Sequence, residues 1–417
     1  MSIAAAAQAP APRGSGKGHK FDARRQEILA ASGALLNRHG LRGATLSMVA
    51  SEIDLNLKSL RYYYKRKEDL VAAAFLHSID LHQQLIDASE AEPTPEARLR
   101  TFIDGYFALQ ARVRKGEQPE FVHFGDVRAL TEPQASIVFT AYIDMFRRMR
   151  GLIHQPGDGW DKQVLNARTH ALLSQLLWSV VWLRYYLPED FPRVANRFGN
   201  LLLHGIAPGR PMPEVVGIDL QDDVADGERL SRDSFLRAAT ELINAHGYRG
   251  ASVERISAAL NVTKGSFYHH NDTKEDLVVA CFQRTFDVMR RGQNEALRRH
   301  DKGFAQLTEA MVNLVQFQLR PTGTLLRTSA LTAIDVHLRD EMNFRMNQLT
   351  ARFEDMLIDG IADGSGIACD ARIAAQMVTG LINSTEELPR WAAGVSANTV
   401  VDLYVRPMFS GLLSRSA

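Results

Sequence analysis

Residues 45–70 read TLSMVASEIDLNLKSLRYYYKRKEDL. Thr45 follows a Gly-Ala pair and precedes an apolar-periodic run, which marks it as a helix N-cap. Its hydroxyl can accept from the exposed N–H groups of the next turn. Leu46, Val49 and Ile53 then fall on one helical face. A tight turn, DLN at 54–56, follows, and a second short helix begins near Leu57. Two short helices joined by a three- or four-residue turn make the helix-turn-helix plan. The second helix of that plan can enter the major groove and reach base edges with its N-terminal side chains.

The side chains suit that task. Residues 57–70 hold five cations and three tyrosines against two carboxylates, in a chain of 417 residues whose net charge is only +1. No global basic field points at nucleic acid, so such a partner must be met by a local patch. Lys58 and Arg61 can reach guanine edges or phosphates, and Asn56 and Ser59 can donate to either. Tyr62 and Tyr63 can bring a hydroxyl to phosphate or lay a ring on a thymine methyl. Lys67 opens the next helix, beside free backbone N–H groups that themselves attract anions. Any one of these cations also reads as a solvated surface charge. The set, at this spacing and present twice, carries the DNA reading.

The second occurrence lies 207 residues on. ALLNRHGLRGAT (34–45) aligns without a gap on ELINAHGYRGAS (241–252), KEDLV at 67 on KEDLV at 274, and Phe75 on Phe282. A period this long is a duplicated domain rather than a solenoid repeat. In the second copy Ser252 takes the cap position, Val253, Ile256 and Leu260 the apolar face, and KGSFYHHNDTKEDL (264–277) the place of the basic run. That run has two cations against three carboxylates, so the two segments differ in charge. The joint is APGRPMPEVVGIDLQDDVADGE (207–228), where Pro and Gly break helices and acidic residues favour solvation. About twenty extended residues at ~3.3 Å each reach roughly 65 Å, enough to return to the start of a second module.

Helical periodicity fills almost everything else. Ile28, Leu29, Ala31, Leu35 and Leu36 give one apolar face that Gly40 ends. Phe235, Leu236, Leu242 and Ile243 do the same before Gly247. No run of period-two alternation predicts a sheet, so the class is all-α. The expected division is a tail (1–20), a helix-turn-helix module (21–80), a helical regulatory domain (81–206), a linker (207–228), a second module (229–287) and a second regulatory domain (288–417). The tail is Ala/Pro/Gly-rich and lacks a signal-peptide pattern. Its sharper reading is a basic arm through Arg13, Lys17, His19 and Lys20.

At these residues the chain resembles the TetR-type bacterial transcriptional regulators. Their module steps into helix two through G-x-T and carries T/S-x-G-S/T-x-Y-x-H/Y-F-x-x-K-E-x-L from helix three into helix four. Copy two follows it with Thr263, Lys264, Gly265, Ser266, Phe267, Tyr268, His269 and His270, then Lys274 to Leu277. Copy one follows it with changes, from Asn56 to Tyr64 and Lys67 to Leu70. The resemblance covers about fifty residues per copy and implies that Thr45, Ser252, Thr263, Lys264, Gly265, Ser266, Tyr268, His269, His270 and Lys274 join the DNA-facing set. Three departures stand out. Copy one has Arg61 where the family usually shows Tyr and Lys58 where it often shows Gly. Copy two has Asn271 where an aromatic usually packs helix three onto the core. Unequal reading heads follow.

The resemblance further implies a duplex DNA operator, a small-molecule effector held in a variable helical domain, and pairing through the last two helices. Pairing within one chain, as a pseudo-dimer, and a homodimer of whole chains both fit. Phe124, Trp178, Trp182, Tyr185, Tyr186, Glu386, Glu387, Arg390 and Trp391 are candidate effector contacts. Core aromatics and a helix-end ion pair are the plainer readings of the same residues. Phe121 and His123 are weaker candidates.

No P-loop, G-x-S-x-G, H-E-x-x-H or dinucleotide fingerprint appears, so neither an enzyme nor a cofactor is expected. His77 and His82 lie five apart, off one helical face, and no metal spacing appears. Cys281 and Cys369 form no CxxC, and no apolar run is long enough to span a membrane. A cytoplasmic, nucleoid-associated, ligand-released repressor is the resulting expectation. A ligand-independent architectural protein, or a ligand binder with one degenerate DNA-binding module, are the alternatives.

Overall fold

The computed structural model describes residues 15–218, 220, 227–250, 253–260, 273–321 and 323–415. The chain is all-α, with no strand among the described residues. Helix α1 spans Ser15–Gly43, beginning inside the stretch expected to be a tail. Then come α2 (Leu46–Glu52), α3 (Leu57–Tyr63), α4 (Lys67–Glu90), α5 (Pro95–Arg114), α6 (Gln134–Ile153), α7 (Lys162–Leu183) and α8 (Phe191–His204). A second series follows: α9 (Gly227–Gly250), α10 (Val253–Leu260), α11 (Lys274–Arg299), α12 (Gly303–Gln318), α13 (Val336–Ala362), α14 (Ala371–Ser384), the short α15 (Leu388–Trp391) and α16 (Arg406–Ser410).

Gly40 and Gly247 do end their helical runs. Both take positive φ with ψ near 170°, a backbone state that favours glycine, and each turns the chain toward the next helix. The expected boundary at 80–81 falls inside a continuous helix. One face of α4 buries Leu70 and Phe75 toward the N-terminal module, and Ile79 and Ile86 continue into the bundle. The same holds at 287–288, inside α11.

The described part of the joint, 207–218 and 220, is docked, while its acidic cluster at 222–226 lies outside the described residues. Met212, Val215 and Ile218 lean on the core, and Leu220 is buried. The Ile218 N–H donates to Asn313 Oδ1 at 2.9 Å. The Arg210 guanidinium spans the carbonyls of Gly364, Ser365 and Gly366. Met212 and the apolar residues that follow the last proline hold this stretch down.

The two series meet along α7 and α8 on one side and α14 and α16 on the other. The contact is reciprocal. The Ile206 N–H donates to the Met408 carbonyl at 2.9 Å, and the Leu412 N–H donates to the Leu202 carbonyl at 2.8 Å. Adding 206 to the first-half residue of either bond gives the second-half residue of the other, Ile206 to Leu412 and Leu202 to Met408. Gly205 (φ 80) and Gly411 (φ 96) sit at the centre, where a Cβ on either would lie 2.1 Å from a carbonyl oxygen of the facing strand. Buried Arg168 reaches from α7 to the carbonyls of Gly411, Leu412 and Ser414, and burial lowers its pKa to about 10.

Candidate nucleic-acid interface and the cavity between the halves

The cap expected at Thr45 forms, and Asn56, read in the sequence only as a DNA-facing side chain, caps the next helix. Thr45 Oγ1 accepts from Met48 N at 3.2 Å, and Asn56 Oδ1 accepts from Ser59 N at 2.8 Å. Between them Asp54 takes φ 49, the left-handed state that lets so short a turn reverse the chain. Leu60, on the inner face of α3, is fully buried. Lys58, Arg61 and Tyr62 point outward, Tyr62 with 63% exposure. Thr45 and Asn56 are exposed as well, while Ser59, Tyr63 and Lys67 are half-buried.

Helix α3 is held from α1. Phe21 stacks on Tyr63 with ring centres 4.8 Å apart, and Tyr62 meets both rings edge-on. Arg25 Nε donates to the Tyr64 hydroxyl at 3.1 Å, and Tyr64 is 3% exposed. Tyr64 thus fills the packing position whose counterpart in copy two is Asn271. Tyr63 is partly committed to this support, and Tyr62 presents most of its ring to solvent.

In copy two Ile256 of α10 is buried. Thr273 and Asp276 form a capping box at the start of α11, the helix that Lys274 opens. Ser252, Thr263, Lys264, Gly265, Ser266, Tyr268, His269, His270 and Asn271 lie outside the described residues.

Behind the modules, each half repeats one clasp. Asn37 Nδ2 donates to the Phe121 carbonyl at 2.9 Å, and its Oδ1 accepts from His123 N at 2.8 Å. Asn244 does the same with the Leu325 carbonyl at 2.8 Å and Arg327 N at 3.1 Å. The short turns that follow, Phe124–Ala129 and Thr328–Ala333, each pack against the opposite half's first helix.

A cavity of about 350 Å³ lies between the halves. Ser174, Leu177, Trp178 and Val181 supply one face of α7 at helical spacing, and Leu36, Asn37 and Leu41 of α1 supply another wall. The second half contributes Asn343, Asn347, Asn383, Ser329 and the Arg327–Glu387 ion pair, which closes at 2.5 Å.

Among the expected effector residues, Phe124, Trp178, Glu387 and Trp391 line this cavity. Trp391 crosses from the second half to stack on Phe146 of α6, centres 4.2 Å apart. Trp182 lies away from it, buried in the first half's core near Phe107, Phe198 and Tyr186. Tyr185 is 45% exposed, with its hydroxyl accepting from Arg184 and Asn347. Glu386 faces Arg390 at 3.9 Å near a helix end, and neither is in the cavity wall. Asn37 and its twin Asn244 were visible in the repeat itself, in NRHG and NAHG, but their carbonyl partners were not. Arg327 and the second half's three asparagines carried no local signal. Among the described residues no group of His, Cys, Asp or Glu is arranged to hold a metal ion, and no helix is long and apolar enough to cross a membrane.

A capped two-helix turn that presents cations and an open tyrosine on one exposed face defines a helix-turn-helix DNA-binding protein. The family described as bacterial regulatory proteins, tetR family, matches residues 235–281, the second copy. The chain is similar to the HTH-type transcriptional repressor DhaR of Mycobacterium sp. (strain GP1), 26% identical over 148 residues, 32% of this chain and 69% of DhaR. It is similar also to the HTH-type transcriptional activator FasR of Mycolicibacterium smegmatis, 24% identical over 172 residues, 40% of this chain and 75% of FasR. The crystal structure of apo AibR overlaps 43% of this chain and 97% of its own, at 19% identity and a TM-score of 0.36. The likeness to the tetR family is carried by the second copy's module, and the two named relatives are transcriptional regulators.

Proposed function

We propose that the chain is a sequence-specific transcriptional repressor, released from its operator by a small molecule, and built as two TetR-like units that pair within one chain. The observation that carries this reading is that α1 belongs to both sites. Near its start, Phe21 and Arg25 seat α3 against the DNA-facing surface. Near its end, Leu36, Asn37 and Leu41 line the cavity. The two ends are ~24 Å apart at 1.5 Å rise per residue. A molecule in the cavity that favours one tilt of α1 therefore shifts the reading head, provided it binds the two tilts with different affinity.

Internal pairing is supported by the reciprocal bonds about Gly205 and Gly411 and by the paired Asn37 and Asn244 clasps. The repressor sense follows DhaR, whose name gives that role. In this reading Lys58, Arg61 and Tyr62 read bases, Asn56, Ser59, Tyr63 and Lys67 meet backbone or base edges, and the copy-two set makes a weaker second contact.

The test is selection of duplexes from a random pool with the purified full chain. The expected motif is two unlike half-sites with centres about 34–36 Å, or a multiple, apart. A true palindrome, or no enrichment at low salt, would contradict the reading.

A further inference from the structure

We propose that the chain takes one effector rather than two, a neutral and largely apolar molecule carrying a carbonyl or hydroxyl, seated in the cavity that both halves build. The inference rests on the regulatory reading above and names its ligand site and class. It starts from where space exists. In the first half's own bundle, buried His82 packs among Tyr106, Phe121 and Phe124. In the second half, Met289 holds the position matching His82, and the gap beside it is only about 10 Å³. That is room for about one water at most. The shared cavity, at about 350 Å³, is within the size range of small-molecule sites.

The wall sets the chemistry. Its formal charges, Arg327 and Glu387, are paired with each other. His123 is kept neutral at pH 7 by burial, which lowers its pKa against the pull of Glu120. A charged ligand would shed its hydration here without meeting an uncompensated counter-charge, a costly transfer. Leu177, Val181, Phe124 and Trp391 offer apolar and aromatic surface. Asn343 and Asn383 add amides suited to a carbonyl or hydroxyl.

The site is also one-sided. Leu36 and Asn37 of α1 line it, whereas their copy-two counterparts Ile243 and Asn244 are not in its wall. Occupancy therefore acts first on the reading head with the stronger basic surface.

The test uses the full chain and two fluorescent probes that share a ring skeleton: neutral N-phenylnaphthylamine and the anionic anilinonaphthalenesulfonate. The neutral probe should saturate at one per chain, and the sulfonate should bind at least tenfold more weakly. Val181→Trp fills the cavity from the first half and Ser329→Trp from the second. Each should weaken the neutral probe at least tenfold, with helical content checked by circular dichroism. Two probes per chain, a variant that halves capacity instead of removing it, equal or tighter sulfonate binding, or no saturable binding up to the solubility limit would each overturn the proposal. The stoichiometry and the probe comparison need no variant, so a misfolded mutant leaves the test intact. One probe per chain with unchanged DNA retention supports this inference and counts against the regulatory reading alone.

Discussion

Tyr64 closes the N-terminal module by burying its ring and taking the Arg25 hydrogen bond, and Asn271 stands at its place in the second copy. An amide has far less apolar surface to bury than a ring, so the sequence gives copy two less to anchor that position with. Charge leans the same way, since copy one holds the cation-rich run. Replacing Lys58 and Tyr62 by Ala should therefore weaken specific binding about tenfold or more, and more than replacing Lys264 and His269. A gel-shift series showing equal losses, or larger ones from copy two, would refute this. Lys67→Ala should lower affinity on all sequences alike and reduce the salt slope by about one. His82 gives a prediction of another kind. Burial lowers its pKa from 6.5 to about 4, although the Ser78 carbonyl favours the protonated ring. The unfolded chain therefore takes a proton in that window while the folded chain does not. This contribution is complete above pH 6.5 and is lost as pH falls toward 4, at up to about 1 kcal/mol per pH unit. Thermal melts should show the decline, and His82→Gln, which keeps a donor for Ser78, should flatten it. An unchanged slope in the variant would assign the decline to other groups.

Helices and turns carry the repeat into three dimensions. Asn37 and Asn244 make the same clasp, so Asn37→Ala and Asn244→Ala should each cost about 1–3 kcal/mol by leaving buried backbone groups unpaired. A large loss from one and none from the other, in denaturant titrations, would break the equivalence. Gly411→Ala should cost more than a surface substitution, because the new Cβ meets the Leu203 carbonyl in a left-handed backbone. Its Tm should fall by several degrees, and an unchanged Tm would show that the strands at Gly205 and Gly411 part easily. The Thr45 cap, the two-helix turn and the glycine stops were legible because each is written within a few adjacent residues. The cavity was not, because it joins side chains about two hundred positions apart. Trp178 and Trp182 show the limit. They are one helical turn apart on α7, which is apolar on most sides, yet Trp178 lines the cavity and Trp182 enters the first half's core. Periodicity cannot choose between two buried faces of one helix. The docking of 207–218 and 220 was hidden for a related reason: Met212, Val215, Ile218 and Leu220 follow no helical period.

At the scale of the whole molecule, covalent linkage would place the two proposed reading heads at an effective concentration of about the millimolar range, so the proposed internal pairing would compete well against pairing between chains. The reciprocal strand contact and the cavity walled by both halves use up the surface through which a second chain would enter the same arrangement. The rival is a dimer of whole chains with four heads, reading a symmetric site through copy one alone. Light scattering of the purified protein, free and on its selected operator, separates the two. The account predicts one chain, 46.5 kDa of protein, both in solution and on each duplex. A stable mass of twice that, on a symmetric site, would contradict it.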